Sequence, residues 1–189
     1  MSLTLTRFEI DGPVLIAPKR HGDDRGWFTQ TWSQSDWASA DLPAITWVQD
    51  NEAFSAAPGT TRDLHFQAPP AAQAKLIRCI RGEIFDAFVD IRKGSPTYGK
   101  AGAVRLSGAD GHQLLVPEGF AHGYQTLRAD TLVAYKVSAP YAPDCEGGLL
   151  WSDTALKIDW PRPDDVVMNG RDFTWPGLSG LDSPFTYNT

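Results

Sequence analysis

A chain of 189 residues, 42% of them hydrophobic and 21% charged, suits one globular domain with a sizeable core and leaves little room for extended disorder. Its formal net charge of −6 argues against a nucleic-acid surface, which needs a basic field, while a local arginine cluster could still hold a small anion. No apolar run is long enough for a signal peptide or a membrane span, and two cysteines, Cys79 and Cys145, are too few for a disulfide framework, so reduced thiols in a cytoplasmic protein are expected.

The first predicted strand is Pro13-Val14-Leu15-Ile16-Ala17-Pro18, closed by proline. Residues 21–26 make a polar turn, residues 27–32 alternate bulky and polar side chains as a strand does, and Ser33 caps a short helix over 34–40. The next β-rich run is 44–49, ending in Asp50-Asn51, and a loop over 55–59 leads into Thr61-Arg62-Asp63-Leu64-His65-Phe66-Gln67. Residues 75–80 and 83–91 read as two strands joined at Arg81-Gly82, the second buried because Phe85, Ala87, Val89 and Ile91 make one face apolar. Further strands are expected over 103–106, 113–116, 121–127, 131–137 and 155–158. About ten short strands with one weak helix indicate an all-β fold, a jelly-roll barrel or sandwich with short peripheral helices. From about residue 161 the pattern weakens, yet Phe173, Trp175, Phe185 and Tyr187 make this arm aromatic enough to pack back across the strands, carrying Asp172 with it.

The stretch 61–67 sets a histidine among cations, with Arg62 beside it and Lys75 and Arg78 on the following strand. That grouping suits proton transfer on an anionic substrate, although a lone histidine can also be a surface residue or a satisfied core residue. Strict alternation puts Asp63, His65 and Gln67 on one face and Arg62, Leu64 and Phe66 on the other; Leu64 and Phe66 require a core, so His65 faces a polar surface or a cavity. A divalent metal needs about three converging ligands, and His21, His65, His112 and His122 contain no His-x-His pair, so no metal is expected. Nucleophile elbows, phosphate loops and dinucleotide fingerprints are also missing from the sequence. A histidine can serve as a base near neutral pH if a carboxylate orients its ring. Asp172 is a candidate for that carboxylate, and Tyr135 is a candidate for an acid on the far side of a substrate or, more plainly, a core tyrosine.

Six segments in register, Asp24-Arg25-Gly26-Trp27-Phe28, Val48-Gln49-Asp50-Asn51, Arg62-Asp63-Leu64-His65-Phe66-Gln67, Lys75-Leu76-Ile77-Arg78, the run over 89–99 and the run over 116–123, resemble the dTDP-4-dehydrorhamnose 3,5-epimerases. The resemblance extends from about residue 14 to residue 187. It implies a cupin-type jelly roll, a homodimer with exchanged strands, no metal or other cofactor, and a dTDP-4-keto-6-deoxyhexose substrate in rhamnose-type deoxysugar biosynthesis. Carried over by position, His65 is the general base, Asp172 its orienting partner, Lys75 the group beside the sugar C4 oxygen and Tyr135 the opposite-face acid. Arg25, Gln30, Gln49, Asp50, Asn51, Arg62, His122, Glu146 and Arg171 fall at substrate-binding positions, and Tyr141 falls where a ring stacks on thymine. The resemblance departs at Asp63, where the family usually has glycine, and at Gln30, where it usually has glutamate. Since strict alternation separates Arg62 from His65, a bulge is needed to turn both inward. Related possibilities are a monoepimerase, a 3,4-ketoisomerase and a non-catalytic sugar-binding cupin.

Overall fold

The computed structural model describes residues 3–187, apart from the side chain of Arg171. Two antiparallel sheets face each other. One contains β1 (Leu3–Arg7), β2 (Val14–Pro18), β10 (Gln113–Val116), β7 (Lys75–Arg81), β12 (Thr131–Val137) and β5 (Gln49–Ser55), in that spatial order. The other contains β13 (Glu146–Leu149), β6 (Thr61–Gln67), β11 (Phe120–Thr126), β8 (Glu83–Asp90) and β9 (Ala101–Ser107). A separate hairpin joins β3 (Arg20–Asp23) to β4 (Gly26–Thr29). The expected all-β jelly roll is thus present as a sandwich, with its sheets not closed into a barrel.

Alternation along the strands divides the apolar residues among three layers. Ile77, Ile84, Phe88, Leu106, Leu114, Phe120, Tyr124 and Val133 fill the space between the sheets. Val14, Ile16, Leu76 and Leu115 face outward from the six-stranded sheet and are covered by Trp37 and Leu42. Trp37 belongs to α1 (Gln34–Ser39), whose N-terminus is capped by Ser33 as its sequence requires. Leu64, Phe66, Val89, Ala121 and Leu149 face outward from the five-stranded sheet, where Leu156, Trp160 and Phe185 of the C-terminal region cover them. Of the arm's four aromatics, Phe185 packs in this layer, while Phe173 is 54% exposed.

Several boundaries differ from expectation. Residues 44–48 are coil, and the strand starts at Gln49, where the run was expected to end. Ala44, Ile45 and Trp47 have strand-like composition, but Ile45 and Trp47 pack on the α1 layer without a ladder partner. Residues 155–158 are not a strand: a 3₁₀ turn, Thr154–Leu156, is capped by Asp153 and ends at Lys157 in the left-handed region. The polar turn of 21–26 is two strand ends around Asp24-Arg25. Two strands carried little advance signal: β1 is short and mostly polar, and β13 is built on Gly147 and Gly148.

Candidate active site

The side chains of β6 reach the interior because its alternation is interrupted. His65 pairs with His122 and Arg62 pairs with Tyr124, so two steps along β11 match three along β6. Paired residues of an antiparallel ladder point to the same side, and the extra residue is a bulge. Arg62 and His65 consequently share a face, correcting the assignment of Arg62 to the opposite one. Gly123 makes this possible: a Cβ there would lie 2.5 Å from Arg62 O and 2.6 Å from the Asp63 carbonyl carbon. The bulge thus depends on a glycine across the ladder, while Asp63 itself keeps a negative φ.

Between the sheets this face opens into a cavity of about 310 Å³, within the usual size of small-ligand pockets. Of the residues singled out from sequence, Arg62, His65, Lys75, His122, Tyr135, Tyr141, Glu146 and Asp172 line it. His65 comes from the five-stranded sheet and Tyr135 from the six-stranded one, so imidazole and phenol approach from opposite walls. The Asp172 carboxylate, on a 3₁₀ turn of the C-terminal arm, lies 3.3 Å from His65 Nε2. Trp175 meets the His65 ring edge to face, its centroid 5.9 Å away. That ring fits because residue 148 is glycine; a Cβ there would come within 2.8 Å of the indole.

Lys75 projects from β7 and donates to the His65 carbonyl oxygen at 3.4 Å. Burial lowers its pKa to about 8, partly offset by Asp86 and Glu146. Burial, followed by the Lys75 ammonium, also pulls His65 below its ordinary value, against the opposing pull of Asp172 and Glu146. At neutral pH the site thus combines a neutral imidazole with a protonated lysine. Tyr135 is pushed up by burial, with Arg62 pulling the other way, and stays a phenol.

His122 forms a second, fully buried dyad, its Nε2 2.5 Å from Asp86 Oδ1. Asp63 is also buried, with Oδ1 accepting from Leu64 N at 2.8 Å and Oδ2 lacking a partner. Burial raises its pKa to about 7, the Leu64 backbone opposes this and the Asp172 charge adds to it. Among the described residues, no group of three or more His, Cys, Asp or Glu converges as a metal site would require.

Other residues singled out from sequence lie elsewhere. Arg25, at the hairpin tip, is exposed and paired with Asp23. Gln30 bonds Asp36, Gln49 bonds Asn51 at 2.7 Å, and Asp50 pairs with Lys136 at 2.7 Å. The side chain of Arg171 lies outside the described residues. Conversely, Gln67, Gln73, Tyr124 and Asn169 line the cavity without having been singled out as site residues. Tyr124 was legible in principle: it follows His122 by two in a strand and so shares its face.

The sequence pattern of a family described as dTDP-4-dehydrorhamnose 3,5-epimerase matches residues 7–180. A dTDP-4-dehydrorhamnose 3,5-epimerase of Sinorhizobium fredii is 47% identical over 173 residues, 92% of this chain and 88% of that protein. The crystal structure of dTDP-6-deoxy-D-glucose-3,5-epimerase from Legionella pneumophila, in complex with dTDP-4-keto-L-rhamnose, superposes with a TM-score of 0.94 at 35% identity, covering 99% of this chain and 100% of that one. A 3'-monoepimerase from Streptomyces bikiniensis, in complex with dTDP-quinovose, is more distant, with a TM-score of 0.85 and 29% identity over 91% of this chain and 86% of that one. By sequence over nearly its full length and by fold, the chain belongs to the dTDP-4-dehydrorhamnose 3,5-epimerase family.

Proposed function

We propose that the protein epimerises a dTDP-4-keto-6-deoxyhexose at C3 and C5 by proton abstraction and return, without a metal, in rhamnose-type deoxysugar synthesis. The observation that carries this reading is the placement of His65 and Tyr135 on facing sheets of one cavity, with Lys75 between the same walls and Asp172 against the imidazole. Both carbons adjoin the C4 carbonyl, so loss of either proton moves negative charge onto that oxygen. The neutral imidazole of His65 takes the proton, with Asp172 steadying the resulting imidazolium. The Lys75 ammonium stabilises the enolate oxygen, a contact of a kind typically worth about 3–4 kcal/mol in the transition state. Tyr135 then gives its proton to the opposite face of the carbon, which inverts the centre.

Arg62 suits the diphosphate because its guanidinium matches paired phosphate oxygens, and Tyr141, 55% exposed at the cavity, suits the flat face of thymine. Homodimer formation by strand exchange would bring in Arg25. The β3–β4 hairpin holds Trp27 and Phe28 exposed at 59% and 62%, and β5 ends its sheet with one edge unpaired among the described strands. Docking the hairpin of one protomer on that edge of its partner covers both features. The protein acts in the cytoplasm, in keeping with Cys79 and Cys145 both being free thiols.

The test is incubation with dTDP-4-keto-6-deoxyglucose in deuterium oxide, followed by proton NMR. Deuterium at C3 and C5 with formation of the 4-keto-rhamnose epimer is expected; exchange at neither carbon refutes the reading. A light-scattering mass equal to one chain, together with full activity of an Arg25→Ala variant, would refute the strand-exchanged dimer.

A further inference from the structure

Tyr124 is the most deeply placed phenol of the cavity, 4% exposed; Arg62 lies beside its buried hydroxyl and can only donate to it, so the phenol has no acceptor for its own proton. A phenylalanine would fill the same space in the layer between the sheets without leaving that proton unsatisfied. The register sets Tyr124 opposite Arg62 on the interior face of the five-stranded sheet. Tyr135 comes from the facing sheet and packs against the same cluster. Two phenols and a guanidinium therefore meet in one corner of the cavity. The charged and titratable groups that act on Tyr124 are Arg62 from β6, Asp86 from β8 and Tyr135 from β12. Burial pushes the Tyr124 phenol up to about 12, with Arg62 opposing, so it is a protonated donor.

We propose that Tyr124 is a positioning residue whose hydroxyl donates to the Tyr135 oxygen once Tyr135 has given up its proton, so that Tyr124 holds the phenolate while the charge of Arg62 favours it from a distance. This rests on the reading of Tyr135 as the far-face acid. During inversion the substrate C–H bond breaks and its proton passes to His65. The Tyr135 O–H bond then breaks as the new C–H bond forms on the other face. The enzyme is left with an imidazolium and a phenolate, and water resets the pair by accepting one proton and returning another. Tyr124 shares its proton with the phenolate and does not transfer it. A donor with no acceptor within reach in the resting state thus closes on the Tyr135 oxygen when charge develops there, which is the arrangement that speeds a step instead of tightening ground-state binding.

The test compares wild type with Tyr124→Phe, which preserves the packed ring. In deuterium oxide, abstraction is read as solvent exchange into recovered substrate and return as the rate of epimerised product. Epimerised product should form roughly ten- to a hundredfold more slowly, as expected for losing a donor to a charged group, while exchange and KM stay near wild type. The phenolate absorbance of Tyr135, assigned by difference between Tyr124→Phe and the Tyr124→Phe/Tyr135→Phe double variant, should titrate at higher pH than in wild type, assigned there by difference from Tyr135→Phe. Product formation at the wild-type rate overturns the proposal, as does a parallel fall in exchange and product or a rise in KM alone, since these place Tyr124 on the ligand or the fold. The titration needs no substrate, so an unchanged Tyr135 curve overturns the proposal even if the sugar chemistry holds. Failure of wild type to exchange either carbon overturns the assigned reaction instead.

Discussion

Replacing Asp63 by asparagine should reverse the order of stability between mutant and wild type as pH is raised. The Asp63 carboxyl is wholly buried at the β6 bulge, and its pKa rises from 3.8 to about 7. Below pH 3.8 it is protonated in both folded and unfolded chains and contributes no pH dependence. Between 3.8 and 7 the folded chain keeps the proton that the unfolded chain releases, so stability falls as pH rises and levels off above 7. At about 1.36 kcal/mol per pH unit, the full loss is on the order of 4 kcal/mol. Asparagine keeps the carbonyl that accepts from Leu64 N but sets two N–H donors, where the neutral carboxyl has one O–H, at the position where Oδ2 has no partner, a pH-independent cost of about 1–3 kcal/mol for the extra buried donor. The variant should therefore be less stable than wild type near pH 4 and more stable near pH 8. Urea midpoints at fixed protein concentration and constant m measure the difference, and titrations common to both chains, including that of His65, largely cancel. A difference that stays constant from pH 4 to pH 8 would refute the assignment of a neutral, buried Asp63.

The pH profile of kcat/KM should be bell-shaped, rising below 6.5 as His65 loses its proton and falling near 8 as Lys75 loses its own; Lys75→Arg should remove the falling limb. His65→Asn should lower kcat by roughly 10²–10⁴ with little change in melting temperature, and Tyr135→Phe should retain exchange into recovered substrate while losing inverted product, both followed by NMR. Lys75→Met should lower kcat by about 10²–10³, checked by initial rates. Gly123→Ala forces a methyl against the Arg62 and Asp63 backbone, so denaturation should show a loss of about 1–3 kcal/mol and the assay a loss of activity as the bulge is displaced. A fully active Gly123→Ala protein would show that the bulge does not set the site.

What could be read from the sequence follows from how local each signal is. The β6 stretch, residues 61–67, has both ends where its pattern puts them, and Ser33 caps α1 as a serine before a helix should. The side to which Arg62 points depends on Gly123, 61 residues away in the chain, and period-two alternation carries no trace of that contact. The run at 44–49 was misplaced for the converse reason: Ile45 and Trp47 are strand-like, but their surroundings offer apolar packing and no ladder. Asp172 could be named from its position in the resemblance, whereas its 3.3 Å approach to His65 comes from packing of the arm that carries it. The unsatisfied phenolic proton of Tyr124 leaves no mark in composition or spacing at all.

Because the carboxylate beside His65 arrives on the outer arm and not on either sheet, foldedness and competence are separable in this molecule. Under the proposed chemistry, a chain with both sheets assembled and the arm lifted from Leu64, Phe66 and Leu149 would look native to a probe of β-structure while its His65 lacked the carboxylate that steadies it. Partial lifting would then register as fewer working sites at an unchanged rate per site, so active-site counting and circular dichroism would disagree before any loss of secondary structure.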